Sequence, residues 1–244
     1  MPQTVIVTGT SKGIGKACVQ ALLAHEGNHF VVGVGRSASG LTHDRFRYIQ
    51  GDVCDPQTQD KMVAAALAFG QGIHGVVLNA ATTSVDRMAE VNVDKLKSMF
   101  DVNLFSALSL SQKCLPHLRA TSGRLIFVSS GAAVRAVPGI GPYCLTKATL
   151  NMLNMALAVE EPRVTCVAFT PGPVDTEMQA EMRTDAMREA DAETYAMFME
   201  FHEGGGLPGP DVAGGVLARL AMDAPRDLSG LFLTIKDERV KEFL

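Results

Sequence analysis

A tyrosine and a lysine four residues apart, Tyr143 and Lys147, form the first group able to do chemistry. On a helix these residues share one face, so their side chains can converge on one reacting group. A phenol is a poor acid at neutral pH, but a cation within about 4–6 Å lowers its pKa by about 1–3 units. The pair therefore predicts proton transfer by Tyr143, although the spacing also fits an exposed tyrosine and lysine on a solvated helix face.

A glycine-rich segment, TGTSKGIG, follows the first apolar run and precedes a helical pattern. Such a turn presents free backbone N–H groups and the positive end of a helix dipole to a pyrophosphate. We expect Gly9 to permit the turn, Gly13 to bring the backbone close to phosphates, and Gly15 to let helix and strand pack tightly. An ordinary glycine-rich turn is the alternative, because the spacing is G-x-x-x-G-x-G and not the commoner G-x-G-x-x-G.

Three polar residues stand beside the predicted strands. Ser130 follows the apolar run 125–128, Asn79 ends the run 76–78, and Asp52 comes after the stretch 47–50. Open α/β sheets place their ligands at the carboxyl ends of strands, so these side chains are candidates for a binding site. A loop serine, a helix cap and a turn-forming aspartate are the alternative interpretations.

The elements that position these residues are short, apolar, β-branched runs separated by helical patterns. The runs lie at Thr4–Thr8, Phe30–Val34, Val76–Leu78, Leu125–Val128, Val164–Phe169 and Leu231–Ile235. Strands that are apolar throughout are buried on both faces, which is typical of a parallel sheet. We therefore predict a single-domain α/β fold over residues 1–244, a doubly wound parallel sheet flanked by helices.

Local signals mark several helix ends. Gly27 stands where a left-handed residue would end the first helix, and Asp55 before Pro56 predicts an N-cap followed by a first-turn proline. The segment 176–210 is rich in methionine and acidic residues and closes with Gly204-Gly205-Gly206. We interpret this segment as the helices of a mobile lid.

Composition excludes several classes of protein. The net charge is -4, and the basic residues are scattered, which disfavours a nucleic-acid surface. No stretch is long and apolar enough for a membrane span, and the N-terminus is typical of a first strand and not of a signal peptide. The histidines and the five cysteines form no metal-binding pattern, so we expect no metal and reduced thiols in the cytoplasm.

These motifs occur together in the order found in one family. The set comprises TGTSKGIG, Asp52-Val53, Asn79-Ala80, Asn103, Ser129-Ser130, Tyr143-x-x-x-Lys147 and Pro171-Gly172-Pro173-Val174-x-Thr176. The chain resembles the short-chain dehydrogenase/reductases over essentially its whole length, with a Rossmann-type fold. Segments such as VVGVGRS, GRLIFVSS and TPGPVDTEMQ are most similar to its benzil reductase and sepiapterin reductase-like branch. The family spacing between serine and tyrosine selects Ser130 over Ser129.

The resemblance implies the role of each residue. Tyr143 would donate a proton to a carbonyl oxygen that Ser130 polarises, Lys147 would lower the tyrosine pKa and hold the nicotinamide ribose, and Asn103 would support a water leading to Lys147. It also implies cofactor contacts at Gly9, Ser11, Lys12, Gly13, Ile14, Gly15, Arg36, Asp52, Val53, Asn79, Ala80, Tyr143, Lys147, Pro171, Gly172, Val174 and Thr176.

The second strand ends in Gly33-Val34-Gly35-Arg36-Ser37, without the acidic residue with which NAD-using relatives hold the adenosine ribose. Arg36 can instead meet a 2′-phosphate, with Lys12 approaching from the other side. NADPH is therefore the predicted cofactor, unless Arg36 is merely a solvated loop residue.

The sequence departs from the family pattern in two places. Ala81 replaces the usual glycine after Asn-Ala, which would crowd the backbone near the cofactor. The last strand lacks the frequent C-terminal glycine pair, which weakens the case for a tetramer built through that strand. We expect a homodimer formed by the helices after Asp94 and around Tyr143.

The expected activity is reduction of a small-molecule ketone or α-diketone. One hypothesis is that the apolar lid residues shape a pocket for hydrophobic carbonyls, and the other is that they simply pack the lid onto the body. These residues are Met178, Met182, Met197, Phe198, Met199 and Phe201. Two other functions share these motifs: an NAD(P)-dependent secondary alcohol dehydrogenase and a non-catalytic dinucleotide-binding sensor.

Overall fold

Seven parallel strands form the central sheet of the computed structural model, which describes residues 1–244. In chain order they are β1 (Thr4–Thr8), β2 (Phe30–Gly35), β3 (Phe46–Gln50), β4 (Gly75–Leu78), β5 (Arg124–Val128), β6 (Thr165–Thr170) and β7 (Phe232–Thr234). Their spatial order is β3-β2-β1-β4-β5-β6-β7, and every neighbouring pair is parallel. The chain runs outward from β1 to β3 and then crosses to the other side of β1. The predicted doubly wound parallel sheet is confirmed.

Nine α-helices cover the two faces of the sheet and one end of it. They are α1 (Gly13–Ala24), α2 (Pro56–Leu67), α3 (Val93–Phe100), α4 (Ser106–Thr121), α5 (Gly141–Glu160), α6 (Glu177–Glu181), α7 (Asp185–Ala190), α8 (Ala192–Glu203) and α9 (Pro210–Asp223). The predicted cap of α2 is confirmed, because the Asp55 carboxylate accepts hydrogen bonds from the backbone N–H groups of Gln57 and Thr58. None of the helices combines the length and apolar character needed to cross a membrane.

The core lies on both faces of the sheet. Val5 and Val7 point to the face covered by α1 and α9, whereas Ile6 points to the face covered by α2, α4 and α5. On the first face, Gly214 lets α9 lie directly against α1, since a Cβ there would come within 2.6 Å of the Cys18 backbone nitrogen. Burial on both faces explains why the central strands are continuously apolar.

Two local expectations were wrong or incomplete. The first helix ends at Ala24, and the left-handed residue is Asn28 (φ 54°), not Gly27. Asparagine tolerates this conformation, and a Cβ at Gly27 would lie 2.4 Å from His29 Nε2, so the His29 ring would have to shift to admit another residue there. Strand β3 was not among the six predicted strands, since its sequence FRYIQ is only partly apolar at the sheet edge.

The segment 176–210 is helical, as predicted, and carries α6, α7 and α8. The chain enters and leaves it at one place, where the Asp175 N–H donates to the carbonyl of Pro208 at 2.9 Å. Met182 and Met187 of this segment are buried against Ile140 and Cys144 of the body. The helices therefore form a flap that is anchored at its base and packed over the carboxyl edge of the sheet.

Candidate active site

One large cleft, of about 750 Å³, lies at the carboxyl edge of the sheet. It opens beside β1 and β4, where the strand order reverses and where open α/β sheets bind ligands. Of the residues predicted for the site, all except Gly15 and Asn103 line this cleft. The sequence motifs, which are spread over residues 9 to 176, are therefore brought to one place by the fold.

The glycine-rich loop shapes one wall of the cleft. Gly9 and Gly13 have positive φ angles of 71° and 56°, which favour glycine. Gly15 acts through packing, since a Cβ there would lie 2.3 Å from the Gly9 carbonyl oxygen. No side chain caps the N-terminus of α1, and its first turn holds no acidic residue. The free N–H groups and the helix dipole therefore suit the pyrophosphate of a dinucleotide.

The basic residues of the cleft differ in their surroundings. Arg36 is exposed at the end of β2, lines the cleft and forms no salt bridge. Lys12 instead pairs with Glu177, the first residue of α6, across the mouth of the cleft. The free cation at this end is therefore Arg36, and Lys12 joins the glycine-rich loop to the flap.

The two serines after β5 have different partners. The hydroxyl of Ser129 is buried and donates a hydrogen bond of 2.6 Å to Asn151 Oδ1. Ser130 Oγ accepts a bond from the Ala132 N–H, and its hydroxyl lies beside that of Tyr143. Both serines line the cleft, but Ser129 is tied to α5 whereas Ser130 lies beside Tyr143.

Tyr143 and Lys147 lie in the first two turns of α5, as their spacing predicts. The Lys147 ammonium donates to the carbonyl of Val128 at 2.7 Å, lies 5.5 Å from the centre of the Tyr143 ring, and is only 2% exposed. Burial lowers the pKa of Lys147 to about 8. The ammonium is therefore charged at neutral pH, yet close to losing its proton.

The pKa of Tyr143 is raised, whereas the sequence predicted that the nearby lysine would lower it. Burial raises it to about 12, and the neighbouring Ser130 hydroxyl only partly opposes this shift. The cost of removing a phenolate from water exceeds the attraction of nearby groups. Tyr143 therefore holds its proton at neutral pH, which is the state a proton donor requires.

Asn103 is one of the two predicted site residues that do not line the cleft. It lies in a π-helical turn, Asp101–Phe105, between α3 and α4, and is 2% exposed. Its Nδ2 donates to the Thr82 carbonyl at 2.8 Å and to Thr146 Oγ1 at 3.0 Å, while its Oδ1 accepts from the Thr82 N–H at 2.8 Å. Both amide hydrogens are used, so the side chain holds α5 against the loop after β4, and the water that the resemblance implies at Asn103 stays a prediction.

Three other predicted residues line the cleft and also make hydrogen bonds within the protein. Asn79 Nδ2 donates to the carbonyls of Thr8 and Gly9 at 2.9 and 3.2 Å, tying β4 to β1. Asp52 Oδ1 accepts from the Cys54 N–H, so this residue also forms a turn. Thr176 caps α6 through its hydroxyl, which accepts from the Gln179 N–H at 3.4 Å.

Several residues of the cleft were not predicted from the sequence. They include the apolar side chains of Met99, Val102 and Ile140 and the buried glutamine Gln179. Phe198, one of the lid residues that the sequence offered for a pocket or for packing, also lines the cleft. These residues come from separate elements whose convergence depends on tertiary structure. No group of three or more His, Cys, Asp or Glu side chains is arranged to hold a metal ion, and all five cysteines are unpaired.

Comparison with known proteins places this geometry in a family. The family model for short chain dehydrogenases matches residues 3–187. A short-chain dehydrogenase/reductase of Saccharomyces cerevisiae has a crystal structure that superposes with a TM-score of 0.94, at 34% identity and 99% coverage of both chains.

Two further matches concern substrate and cofactor. A benzil reductase of Saccharomyces cerevisiae, which forms (S)-benzoin, is 32% identical over 98% of both chains. A Beutenbergia cavernae protein assigned as an NAD(P)-dependent gluconate 5-dehydrogenase is 25% identical with a TM-score of 0.78, covers 96% of this chain and 94% of its own, and was crystallised with NADP at low occupancy. The chain belongs to the short-chain dehydrogenase/reductase family, whose members are NAD(P)-binding oxidoreductases.

Proposed function

We propose that this protein is an NADPH-dependent carbonyl reductase that converts a ketone or α-diketone into the alcohol, with Tyr143 as proton donor. The observation that carries the proposal is the convergence of Ser130, Tyr143 and Lys147 on the cleft that also contains the uncapped N-terminus of α1. A carbonyl group held at this point has a hydroxyl donor on its oxygen and room for a nicotinamide on its carbon.

Ser130, Tyr143 and Lys147 have different roles in the proton transfer. Ser130 donates a hydrogen bond to the carbonyl oxygen and polarises it, while the neighbouring Tyr143 hydroxyl supplies the proton. When bound, the cofactor supplies the hydride. With a pKa of about 12 the phenol stays protonated until an alkoxide, a stronger base than phenolate, develops beside it. The Lys147 ammonium then stabilises the phenolate that remains.

The cofactor assignment rests on the two ends of the cleft. The N–H groups of α1 and the close approach that Gly9 and Gly13 permit fit a pyrophosphate. Arg36, exposed and without an acidic partner at the end of β2, fits the 2′-phosphate of NADPH. Lys147 would hold the nicotinamide ribose, and Val174 with Thr176 would contact the carboxamide.

The apolar wall near Tyr143 supports a hydrophobic carbonyl substrate. Met99, Ile140, Met182 and Phe198 line this part of the cleft, and methionine adapts to irregular apolar shapes. The relative that reduces benzil, a diaryl α-diketone, is consistent with such a pocket. We propose that the flap 176–210 closes over this substrate and excludes water.

Two wider properties complete the proposal. The five free cysteines fit a reducing environment, so we expect the enzyme to work in the cytoplasm. We also propose a homodimer formed through the outer face of α5, where Leu145, Met152 and Val159 recur every seven residues and are exposed. A stripe of this kind can pair with its own copy about a two-fold axis.

The test is NADPH oxidation by the purified protein with benzil, aromatic ketones, quinones and pterins as substrates. We expect turnover with at least one of these carbonyls. Tyr143→Phe should lower kcat by about 10²–10⁴-fold while NADPH binding, measured by fluorescence titration, stays largely intact. Wild-type kcat in this variant would reject Tyr143 as the donor. Cofactor binding without turnover of any carbonyl or alcohol would favour a sensor.

A further inference from the structure

Gln179 in α6 is a buried side chain whose amide has no partner. The residue is 7% exposed and lines the cleft. Its Nε2 and Oε1 atoms are shielded from solvent, and neither makes a hydrogen bond within the protein. Buried polar atoms are nearly always paired, because an unpaired one loses its bonds to water without replacement. The amide is therefore a candidate for pairing with a molecule that enters the cleft.

The position of Gln179 indicates which part of that molecule it would meet. On α6, Gln179 lies three residues before Met182, so the two side chains share a helix face. Met182 packs in the apolar cluster that includes Ile140 and borders Tyr143. The Gln179 amide thus belongs to the end of the cleft where a carbonyl is reduced, and not to the end with Arg36.

We propose that Gln179 is a specificity-determining residue that binds a second oxygen of the substrate, adjacent to the carbonyl being reduced. This inference rests on the proposed function and narrows its substrate class to α-dicarbonyl compounds. Gln179 lines the cleft and has three rotatable side-chain bonds, so its Nε2 would turn toward the cleft and donate to the second carbonyl oxygen when such a substrate is bound. A mono-ketone leaves the amide unpaired, as it is in the free protein, whereas an α-diketone supplies the missing acceptor and gains a hydrogen bond.

The chemical step is unchanged by this contact. Hydride adds to the first carbonyl carbon and the Tyr143 proton to its oxygen, while NADPH becomes NADP⁺. The second carbonyl keeps its oxidation state, and the product is an α-hydroxy ketone. Gln179 is accordingly expected to act on substrate selection and not on proton transfer.

A matched substrate pair tests the proposal: benzil and deoxybenzoin, which carry the same two phenyl rings but differ in the second carbonyl. The measured quantity is the ratio of kcat/KM for benzil to that for deoxybenzoin. In Gln179→Met, which keeps the side-chain volume but removes the amide, we expect this ratio to fall about tenfold or more. Gln179→Glu removes the N–H donors and should also lower it. Glu181→Met, at an exposed position of the same helix, should leave it unchanged.

The outcomes separate this inference from the proposed function. If the wild-type protein reduces no carbonyl with NADPH, the proposed function fails. If it reduces carbonyls but Gln179→Met keeps the wild-type ratio, or loses both substrates and NADPH binding together, the Gln179 assignment is overturned. Where a variant does not fold, a crystal structure of the wild type with NADP⁺ and benzoin decides. Gln179 Nε2 within hydrogen-bond distance of the second oxygen supports the proposal, and an amide turned away from it refutes the proposal.

Discussion

Arg36 is the single residue on which the choice of cofactor depends most. It has no acidic partner, whereas Lys12, the other basic residue predicted to reach the 2′-phosphate, is paired with Glu177. An exposed ion pair contributes little energy, but it holds the Lys12 side chain on the flap side of the cleft. Discrimination between NADPH and NADH is therefore expected to depend mainly on Arg36.

We predict that Arg36→Asp lowers the ratio of kcat/KM with NADPH to that with NADH by about ten- to a hundredfold or more. The substitution removes a charge-assisted contact, repels the phosphate and offers a carboxylate to the ribose hydroxyls of NADH. Both cofactors are compared at one salt concentration, and Arg47→Asp on β3, a residue that does not line the cleft, is the control. An unchanged ratio in Arg36→Asp would show that this residue does not select the cofactor.

At the scale of elements, two histidines hold the start of β1. The Gln3 N–H donates to His29 Nδ1 at 3.1 Å, and the Thr4 N–H donates to His74 Nδ1 at 3.2 Å. A ring nitrogen that accepts a hydrogen bond carries no proton, so both rings must be neutral. Burial is the main cause that lowers the pKa of both rings. At His29, the neighbouring His25 and Arg45 lower the pKa further and Asp223 opposes the shift. At His74, Arg124 lowers the pKa further.

This arrangement predicts acid sensitivity of the fold. The folded-state pKa of each ring lies below its unfolded value of about 6.5, so the unfolded chain binds more protons as the pH falls below that value. The free energy of unfolding should therefore be largest above about pH 6.5 and decrease on acidification by up to about 1.4 kcal/mol per pH unit for each ring.

Urea denaturation between pH 7.5 and about 5 measures this effect. The double variant His29→Gln/His74→Gln is expected to be less stable at pH 7.5 but to lose less stability on acidification than the wild type. His202→Gln, an exposed histidine on α8, serves as the control and should retain the wild-type slope. A double variant with the same slope as the wild type would show that other groups cause the acid sensitivity.

The flap of α6, α7 and α8 is the second element with a testable behaviour. It is tied at its base by the bond between Asp175 and Pro208 and contacts the body through Met182 and Met187. We predict that amide hydrogen exchange in residues 176–210 slows when NADP⁺ and benzoin are bound, because the ligands add contacts to the inner face of α6. Exchange in α9, which packs in the core, is the internal control. Equally strong protection of the flap without ligands would argue against a moving lid.

At the scale of the whole molecule, the sheet could be predicted because its central strands are buried on both faces and hence apolar. Strand β3 was not predicted because a strand at the edge of a sheet need not be apolar. Its residues include the polar Arg47 and Gln50. The motif residues could be placed at the cleft because strand ends converge there. Gln179 could not be placed at the cleft from the sequence, because its position among polar residues of the flap gives no sign that its amide is buried.

The helix α5 joins the candidate site to the proposed dimer. Its inner face carries Tyr143 and Lys147, and its outer face exposes Leu145, Met152 and Val159. Phe105, which is also exposed, lies in the π-helical turn that packs against α5 and extends the apolar surface. Association of two such faces would remove this apolar surface from water and hold the site-bearing helix from outside.

We predict that Met152→Glu converts the dimer into a monomer, because each copy would bring a charge into an apolar contact near the two-fold axis. The side chain of Met152 is 61% exposed in the single chain, so the substitution is not expected to disturb the core. Sedimentation velocity of the wild type, Met152→Glu and Val212→Glu measures the effect. Val212 is another exposed apolar residue, on α9 and away from α5, and its variant should remain dimeric. A wild type that sediments as a monomer would reject the proposed dimer, and a Met152→Glu variant that stays dimeric would place the contact elsewhere on the surface.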